Sequence, residues 1–364
     1  MRNKTTYWVG AAVAVAMTLT TACGNSSGGN NTSNQATGSS GSGSGKKIIA
    51  LLLPDTTSSA RYETQDRPDF INEVKALDPS IEVDYQNAQN NSATQQQQAE
   101  AAITNGAKVL VIDPVDSKAA AAIVSEANQA GVKVISYDRM IVNSKVDYYV
   151  SFDNLEVGKL QGQFIADHTP QGGTVVMING AQSDNNALQF AQGAHQVLDP
   201  LFNSGKLKLG YQSYTPNWDP ANGQREMEAA LTKLNNKVDA VLAANDGLAG
   251  AVIQALSAQG LSGKVPVTGQ DATDAGLHDI LQGTQSMTVY KAVPKEAKIA
   301  AQLAVDIVDG KTIGSDLVNG KVNNGAEDVP AALLQPVVVT KDNIQSTVIQ
   351  DGFTTMDKIQ HPAQ

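Results

Sequence analysis

Residues 109–139 read VLVIDPVDSKAAAAIVSEANQAGVKVISYDR, and this stretch decides the fold class. Its two ends, 109–113 and 132–137, are continuous apolar runs with the length of buried strands. Between them, residues 118–130 carry apolar side chains at helical spacing, and Gly131 follows where a left-handed helix cap favours glycine. A strand, a helix and a strand in this order predict a parallel βαβ unit with helices on both faces of the sheet.

The same alternation continues on both sides of this unit. Upstream, strands are predicted at 48–53 and 81–86, and helices at 63–77 and 93–105. After Val150 a second series predicts helices at 154–167, 187–198, 223–235, 247–259 and 275–281, and strands at 173–179, 207–211, 238–243, 265–268 and 287–290. Two such series indicate two α/β lobes. A further helix at 295–309 and a strand at 335–339 follow, and periodicity alone assigns them to neither lobe.

The amino terminus has the features of an export signal. A basic start precedes an apolar run at 9–19, which is too short to span a bilayer, and then small residues at 20–22. Cys23, the only cysteine in the sequence, comes next. This order resembles a bacterial lipoprotein signal, so we expect residues 1–22 to be removed and Cys23 to carry a lipid. The alternative is an ordinary signal peptide with an incidental cysteine.

The segment after Cys23 is predicted to be a flexible tether, residues 23–46. Between 24 and 45 it contains only Gly, Ser, Asn, Thr, Gln and a single Ala, a composition that cannot bury enough apolar surface to become ordered. The remaining chain, about 320 residues, is too long for one ordinary core and fits two domains.

Composition excludes several kinds of site. The chain has 26 Lys and Arg against 36 Asp and Glu, a net charge of −10 that disfavours nucleic acid as a partner. A single cysteine excludes a disulfide framework and a cysteine-based metal site. The four histidines lack the His-x-x-x-His spacing of zinc sites. We therefore predict no metal and no cofactor.

Polar side chains follow nearly every predicted strand, at the edge where ligands bind in open α/β sheets. They include Asp55, Arg61, Tyr62, Asp113, Asp138, Arg139, Asp153, Asp184, Asn185, Asn186, Trp218, Asn245, Asp246, Asp271 and Lys291. Helix capping alone explains many of the acids and amides taken one at a time. The set indicates a binding site because it also contains cations and aromatic rings, which capping does not need.

A sugar suits this inventory. Each sugar hydroxyl donates one hydrogen bond and accepts two, so carboxylates, amides and guanidinium groups together can satisfy it. Tyr62 and Trp218 would cover the apolar faces of a sugar ring. The alternatives are that Trp218 is a half-buried surface anchor and that Lys291 is a solvated strand end.

The chain resembles the type I periplasmic sugar-binding proteins of bacterial ABC transporters, and especially those that bind D-xylose. The resemblance is carried by YDRMI at 137–141, SFDN at 151–154, DNNA at 184–187, Asn245-Asp246, ALSAQGLSGK at 255–264, GQDA at 269–272 and MTVYK at 287–291. It implies an α/β fold of two Rossmann-like lobes with parallel sheets, joined by three crossings near Val150, Lys291 and Pro336. Residues 47–150 and 291–336 would form the N-terminal lobe, and residues 151–290 and 337–364 the C-terminal lobe.

The resemblance also implies the ligand contacts. Those from the first lobe would be Arg61, Asp138 and Arg139, those from the second Asn186, Asn245 and Asp271, with Asp184 and Asn185 as additional contacts, Tyr62 and Trp218 as stacking rings, and Lys291 at the hinge. Tyr62 stands where tryptophan is expected in D-xylose-binding relatives, which leaves the preference among pentoses open.

The expected function is the capture of one monosaccharide, a pentose and most simply D-xylose, for an ABC importer. We expect a monomer that is no enzyme, is anchored by lipid at the outer face of the cytoplasmic membrane, and docks on an ABC permease. The alternatives are a sensor component that presents the closed form to a membrane kinase, or another sugar such as ribose, arabinose or glucose. A glycoside hydrolase using Asp138 and Asp271, and a repressor with a DNA-binding headpiece in place of the tether, are weaker alternatives.

Overall fold

The computed structural model describes residues 46–362 of the chain. The expected export signal, the lipidation site at Cys23 and almost all of the expected tether lie outside the described residues. Within residues 46–362, no helix combines the length and the apolar character that crossing a membrane requires.

Strands and helices alternate along the described chain. The strands are β1 (Ile48–Leu53), β2 (Glu82–Asn87), β3 (Val109–Ile112), β4 (Lys133–Tyr137), β5 (Tyr148–Phe152), β6 (Thr174–Asn179), β7 (Lys208–Tyr214), β8 (Ala240–Ala243), β9 (Thr288–Tyr290), β10 (Gly320–Asn323), β11 (Asp328–Leu334) and β12 (Val337–Val339). The helices are α1 (Arg67–Leu77), α2 (Ser92–Thr104), α3 (Ala121–Gln129), α4 (Asn154–His168), α5 (Asn185–Asn203), α6 (Pro220–Lys233), α7 (Asp246–Ala258), α8 (Asp274–Gln282), α9 (Val293–Val308) and α10 (Met356–Gln360).

The larger sheet has the strand order β10-β11-β5-β4-β3-β1-β2 and is parallel except for the β10–β11 hairpin. Strands β1 and β3 are buried along their whole length, because α1 and α9 cover one face of the sheet and α2 and α3 cover the other. This double cover explains why both strands are continuous apolar runs in the sequence.

The smaller sheet has the parallel order β7-β6-β8. Helices α4 and α5 pack on one of its faces, and α6 and α7 pack on the other. A single bridge from Val241 to Val267 and another from Gln270 to Val289 continue it toward the antiparallel pair β9–β12. Ligand-binding residues of a parallel sheet are expected at the carboxyl ends of its strands, so the two sheets determine where the site must lie.

Helix α9 follows the second series of strands but packs on the larger sheet. Its buried residues include Ala297, Ala300, Ala301 and Ala304, which lie in the same apolar cluster as β1 and β4. The chain therefore passes between the sheets after Phe152, after Tyr290 and between β11 and β12. We call residues 46–152 with 293–334 lobe 1, and residues 153–290 with 337–362 lobe 2.

Three details differ from the sequence-based prediction. Strand β5 stays in the larger sheet through Phe152, two residues beyond the expected crossing at Val150. The predicted strand at 265–268 is reduced to the single bridge at Val267, because Pro266 has no N–H to donate to a ladder. The β10–β11 hairpin was not predicted, since Gly320–Asn323 is mostly exposed and shows no apolar alternation.

Candidate functional site

A polar cavity lies between the two lobes, with about 290 Å³ of space free of protein atoms when the open solvent at its mouth is included. Its lining comes from both lobes and from the crossing between them. The lining residues are Ser58, Ser59, Arg61, Tyr62, Asp138, Arg139, Asp184, Asn186, Phe190, Trp218, Asn245, Gln270, Asp271 and Lys291. Most of them follow the carboxyl end of a strand, which is the position that the parallel topology predicts.

Arg61 is held rigidly by two acids of its own lobe. A π-helical turn over Tyr62–Asp66, a feature frequent at functional sites, follows it directly. Its Nε and Nη2 donate to the two carboxylate oxygens of Asp66 at 2.9 and 2.7 Å, and Nη2 also donates to Glu296 at 2.9 Å. The remaining nitrogen, Nη1, is buried and has no hydrogen-bond partner within residues 46–362. One donor of Arg61 therefore stays free for a ligand.

Asp138 is a buried carboxylate between two cations. Its Oδ1 accepts a hydrogen bond from Lys291 Nζ at 3.0 Å, and its Oδ2 lies 3.3 Å from Arg61 Nη1. Burial by itself would raise the pKa of Asp138, but Arg61 and Lys291 lower that pKa to about 2. Asp138 is therefore ionised at neutral pH and acts as a hydrogen-bond acceptor.

Arg139 connects the lobes. Its Nε lies 3.1 Å from Asp184 Oδ2 of lobe 2, and its Nη2 donates to the Tyr62 hydroxyl at 3.1 Å. Behind it, the fully buried Asp113 lies 3.5 Å from Nε, and neither of its oxygens accepts a hydrogen bond within residues 46–362. Burial raises the pKa of Asp113 well above its usual range, with Arg139 opposing the shift. Burial also raises the pKa of Asp184, but Asp184 lies closer to Arg139 Nε than Asp113 does, at 3.1 Å against 3.5 Å.

Trp218 forms an apolar wall of the cavity in lobe 2. It ends a short 3₁₀ turn after β7 and has a left-handed backbone with φ of 55°. Its indole Nε1 donates to Asp184 Oδ2 at 3.0 Å, and its ring packs edge-on against Phe190 with centroids 6.4 Å apart. A Cβ atom on Gly180 would overlap the indole, so only glycine leaves room for the ring there.

The amides and the carboxylate of lobe 2 contact lobe 1 around the cavity. Asn186 Nδ2 donates to the Asp138 carbonyl at 3.1 Å. Asn245 Nδ2 donates to the Ser58 carbonyl at 3.0 Å, and Ser59 Oγ donates to Asp271 Oδ2 at 3.1 Å. The same groups that would bind a ligand therefore also bridge the two lobes.

The structure brings together all but one of the residues selected from the sequence as ligand contacts. Asn185 lies outside the cavity lining, and its backbone N–H donates to Ser117 Oγ of lobe 1 at 3.0 Å. The reason is helical geometry, since Asn185 starts α5 and its neighbour Asn186 points a different way.

Four cavity residues were not selected from the sequence: Ser58, Ser59, Phe190 and Gln270. Phe190 stands one helical turn after Asn186, a spacing that would have revealed it. Gln270 precedes Asp271 at the same strand end and would have been found by the same argument. The two serines carry no such signal. Among residues 46–362, no group of three or more His, Cys, Asp or Glu side chains is placed to hold a metal ion.

Asp246 is a buried acid of lobe 2 directly behind the cavity wall. Burial raises its pKa to about 7, and the charge of Asp271 adds to the rise, while hydrogen bonds from Gln285 oppose it. The folded chain therefore holds a proton on Asp246 at a pH where the unfolded chain has lost it.

This raised pKa predicts a pH dependence of stability. The stabilising contribution of the protonated Asp246 is complete below the unfolded pKa, near 4, and is lost as pH rises toward 7. Between pH 5 and 7, the free energy of unfolding of the natural chain should fall by about 2 kcal/mol relative to Asp246→Asn. Urea titrations of both proteins at each pH measure this difference, and parallel pH profiles would contradict it.

Several known proteins are similar to this chain in sequence and in structure. Residues 49–312 match the periplasmic binding protein domain family. The D-xylose-binding periplasmic protein of Escherichia coli (strain K12) is 46% identical over 289 residues, covering 79% of this chain and 86% of the relative. That of Haemophilus influenzae is 44% identical, covering 82% and 88%. A carbohydrate transporter solute binding protein from Chloroflexus aurantiacus, solved with D-glucose, superposes with a TM-score of 0.78 at 35% identity, covering 85% of this chain and 97% of that one.

Proposed function

Because the chain belongs to the periplasmic binding protein family, we propose that it captures one D-xylose molecule between its two lobes and delivers it to an ABC importer. The observation that carries the proposal is the cavity, in which donors, acceptors and aromatic rings from both lobes converge. Its proposed ligand contacts are Arg61, Tyr62, Asp138, Arg139, Asp184, Asn186, Trp218, Asn245, Asp271 and Lys291, joined by Gln270 and Phe190.

The chemistry of the lining supports a neutral sugar. Asp138 supplies an ionised acceptor, and Arg61 Nη1 supplies a donor without a hydrogen-bond partner in the described chain. Hydrogen bonds to such charged groups contribute about 1.5–3 kcal/mol each. Trp218 offers an apolar face to the C–H bonds of a ring.

The proposed mechanism is closure of the lobes around the sugar. In this view lobe 1 and lobe 2 move about the three crossings, after Phe152, after Tyr290 and between β11 and β12. A sugar held by residues of both lobes gains its full set of contacts only when the lobes meet, so binding shifts the population toward the closed form. The bridges from Ser59 to Asp271 and from Asn245 to Ser58 would form in the same step.

The choice of D-xylose rests on the relatives. Two D-xylose-binding proteins are 44–46% identical to this chain over the aligned residues, but a structural relative holds D-glucose. A thermal-shift screen with D-xylose, D-ribose, L-arabinose, D-glucose and D-galactose tests the choice. The largest rise in melting temperature is expected with D-xylose. A larger rise with another sugar would replace xylose by that sugar, and no rise with any of them would overturn the proposal.

Delivery to a transporter and anchoring are further parts of the proposal. Export and lipidation at Cys23 would hold the protein at the outer face of the cytoplasmic membrane, close to its permease. Deleting the gene should abolish uptake of labelled D-xylose, and Cys23→Ser should release the protein from the membrane. Normal uptake in the deletion strain would favour the alternative, a sensor component that presents bound sugar to a membrane kinase.

A glycoside hydrolase would need one carboxyl that donates a proton, and Asp138 cannot be that acid, because Arg61 and Lys291 lower its pKa to about 2. The most similar relatives reported above are named for sugar binding and not for hydrolysis, which supports the same conclusion. Incubation with aryl xylosides should therefore give no product. Release of the aryl group at a rate above the buffer blank would contradict this part of the proposal.

Gly180→Ala tests the role of the indole wall without removing a polar contact. The added methyl group overlaps the Trp218 ring and should push it into the cavity. We expect about tenfold weaker D-xylose binding, because one misplaced apolar wall costs about 1–2 kcal/mol. Calorimetry measures the loss, and Gly250→Ala is the control, since Gly250 lies within helix α7 and a methyl group there meets no other atom within 4 Å. Unchanged affinity in Gly180→Ala would show that the ring does not contact the sugar.

A further inference from the structure

The carboxyl group of Asp246 lies beneath the segment that carries two cavity residues, Gln270 and Asp271. Its Oδ2 accepts hydrogen bonds from the backbone N–H and from the hydroxyl of Thr273, at 2.8 and 3.2 Å. Its Oδ1 accepts from Gln285 Nε2 at 2.8 Å. Asp246 is buried and is not part of the cavity lining. It therefore contacts the sugar site only through the segment above it.

This segment has a backbone that needs support. Asp271 has a φ of 100° and Ala272 a φ of 54°, and residues other than glycine adopt such positive values only at a cost in free energy. Such conformations persist only where the surrounding structure holds them. Asp246 holds the segment on both sides, since its own backbone N–H donates to the Gln270 carbonyl at 3.0 Å while its side chain binds Thr273.

Two glycines leave space for this carboxyl group. A Cβ atom on Gly269 would overlap Asp246 Oδ1, and one on Gly276 would overlap the Asp246 carboxyl carbon. The close packing fixes the position of the carboxyl relative to both ends of the 269–276 segment. The carboxyl group of Asp246 therefore has one defined position relative to the segment that carries Asp271, unlike a side chain in a loose surface contact.

We propose that Asp246 is a positioning residue for sugar binding: its carboxylate ties Thr273 to helix α7, and so holds Asp271 in the orientation that the ligand and lobe 1 require. The inference rests on the proposed function. Asp271 also accepts a hydrogen bond from Ser59 of lobe 1 at 3.1 Å, so a displaced Asp271 would lose both the sugar contact and a bridge between the lobes.

A double-mutant cycle with calorimetric titration of D-xylose tests the inference. Asp271→Ala and Asp246→Ala alone should each weaken binding by about tenfold or more, because each removes the correctly placed Asp271 carboxylate. If Asp246 acts through Asp271, the double variant should bind within about threefold of Asp271→Ala, since coupled residues are not additive. Losses that multiply would overturn the proposal.

Two controls separate positioning from general destabilisation. Asp246→Asn keeps an acceptor oxygen for Thr273 and should restore binding to within about threefold of the natural chain. Asp239 accepts a hydrogen bond from the Thr174 N–H at 2.7 Å at the amino end of the smaller sheet, so Asp239→Ala should lower the melting temperature and leave affinity unchanged. If Asp246→Ala does not fold, Asp246→Ser, whose hydroxyl is too short to reach Thr273, takes its place in the cycle.

The outcomes distinguish this inference from the proposed function. If the natural chain binds none of the five monosaccharides of the thermal-shift screen, the proposed function fails. If the natural chain binds D-xylose and Asp246→Ala, folded at the assay temperature, binds it equally well, the positioning role fails and the proposed function stands.

Discussion

Replacing Asp138 with alanine is expected to abolish sugar binding. The change removes the carboxylate that lies 3.0 Å from Lys291 Nζ and 3.3 Å from Arg61 Nη1, both nearly inaccessible to solvent. Two buried cations then lose a partner, and breaking a buried ion pair in this way costs about 3–5 kcal/mol. The ligand loses an ionised acceptor as well. We therefore expect D-xylose affinity to fall by more than about 100-fold.

The control for Asp138→Ala is an aspartate in a similar arrangement at the surface. Asp309 also pairs with two cations, Lys47 at 2.8 Å and Lys311 at 2.9 Å, but on the outside of lobe 1. Asp309→Ala should leave D-xylose affinity unchanged, because surface ion pairs contribute little and this one is far from the cavity lining. Calorimetry on both variants, with thermal unfolding to confirm that they are folded, makes the comparison. Asp138→Ala binding as tightly as Asp309→Ala would remove Asp138 from the site.

Replacing Trp218 with alanine is expected to have the second-largest effect. The side chain is nearly fully buried, packs against Phe190 and donates a hydrogen bond to Asp184, which in turn pairs with Arg139. Truncating a buried aromatic residue costs about 3–5 kcal/mol. Part of that cost is lost binding free energy, because the sugar no longer has an apolar face to pack against. We expect about 100-fold weaker D-xylose binding.

Tryptophan fluorescence reports directly on the environment of Trp218. The sequence has two tryptophans, Trp8 and Trp218, so in protein lacking residues 1–22 all tryptophan emission comes from the cavity wall. Emission of the natural chain should change with D-xylose and saturate at one equivalent. Trp218→Phe, which keeps an aromatic face and loses the hydrogen bond to Asp184, should bind about tenfold more weakly by calorimetry. Full affinity in Trp218→Ala would rule out stacking.

Most of the fold was predictable because it depends on patterns within single segments. Strands such as Ile48–Leu53 and Val109–Ile112 are buried on both faces and therefore appear as continuous apolar runs. The position of the site followed from the same patterns. Parallel strands end at one edge of each sheet, so polar residues that follow them were expected to bind a ligand. The resemblance to sugar-binding proteins implied that Arg61 of one lobe and Asp271 of the other meet in one cavity, and both line it.

The rest of the fold and of the site depends on contacts between distant segments, and such contacts leave no pattern in a single sequence. The periodicity of Val293–Val308 predicts a helix, but the sheet that it covers is decided by its alanine face and by the path of the chain. Likewise, Asp66 and Glu296 hold Arg61 in place from positions 5 and 235 residues away, and neither has a local signal. Asn185 was selected together with Asn186 because the sequence does not distinguish neighbouring residues at a helix start, and the structure leaves Asn185 outside the cavity lining.

Small-angle X-ray scattering, with and without D-xylose, tests the central claim most directly. The claim is that one sugar, bound by residues of both lobes, stabilises the closed arrangement. We predict that saturating D-xylose lowers the radius of gyration of the natural chain and leaves that of Asp138→Ala unchanged. Identical scattering of the natural chain in the presence and absence of D-xylose and of the other four monosaccharides would contradict the account.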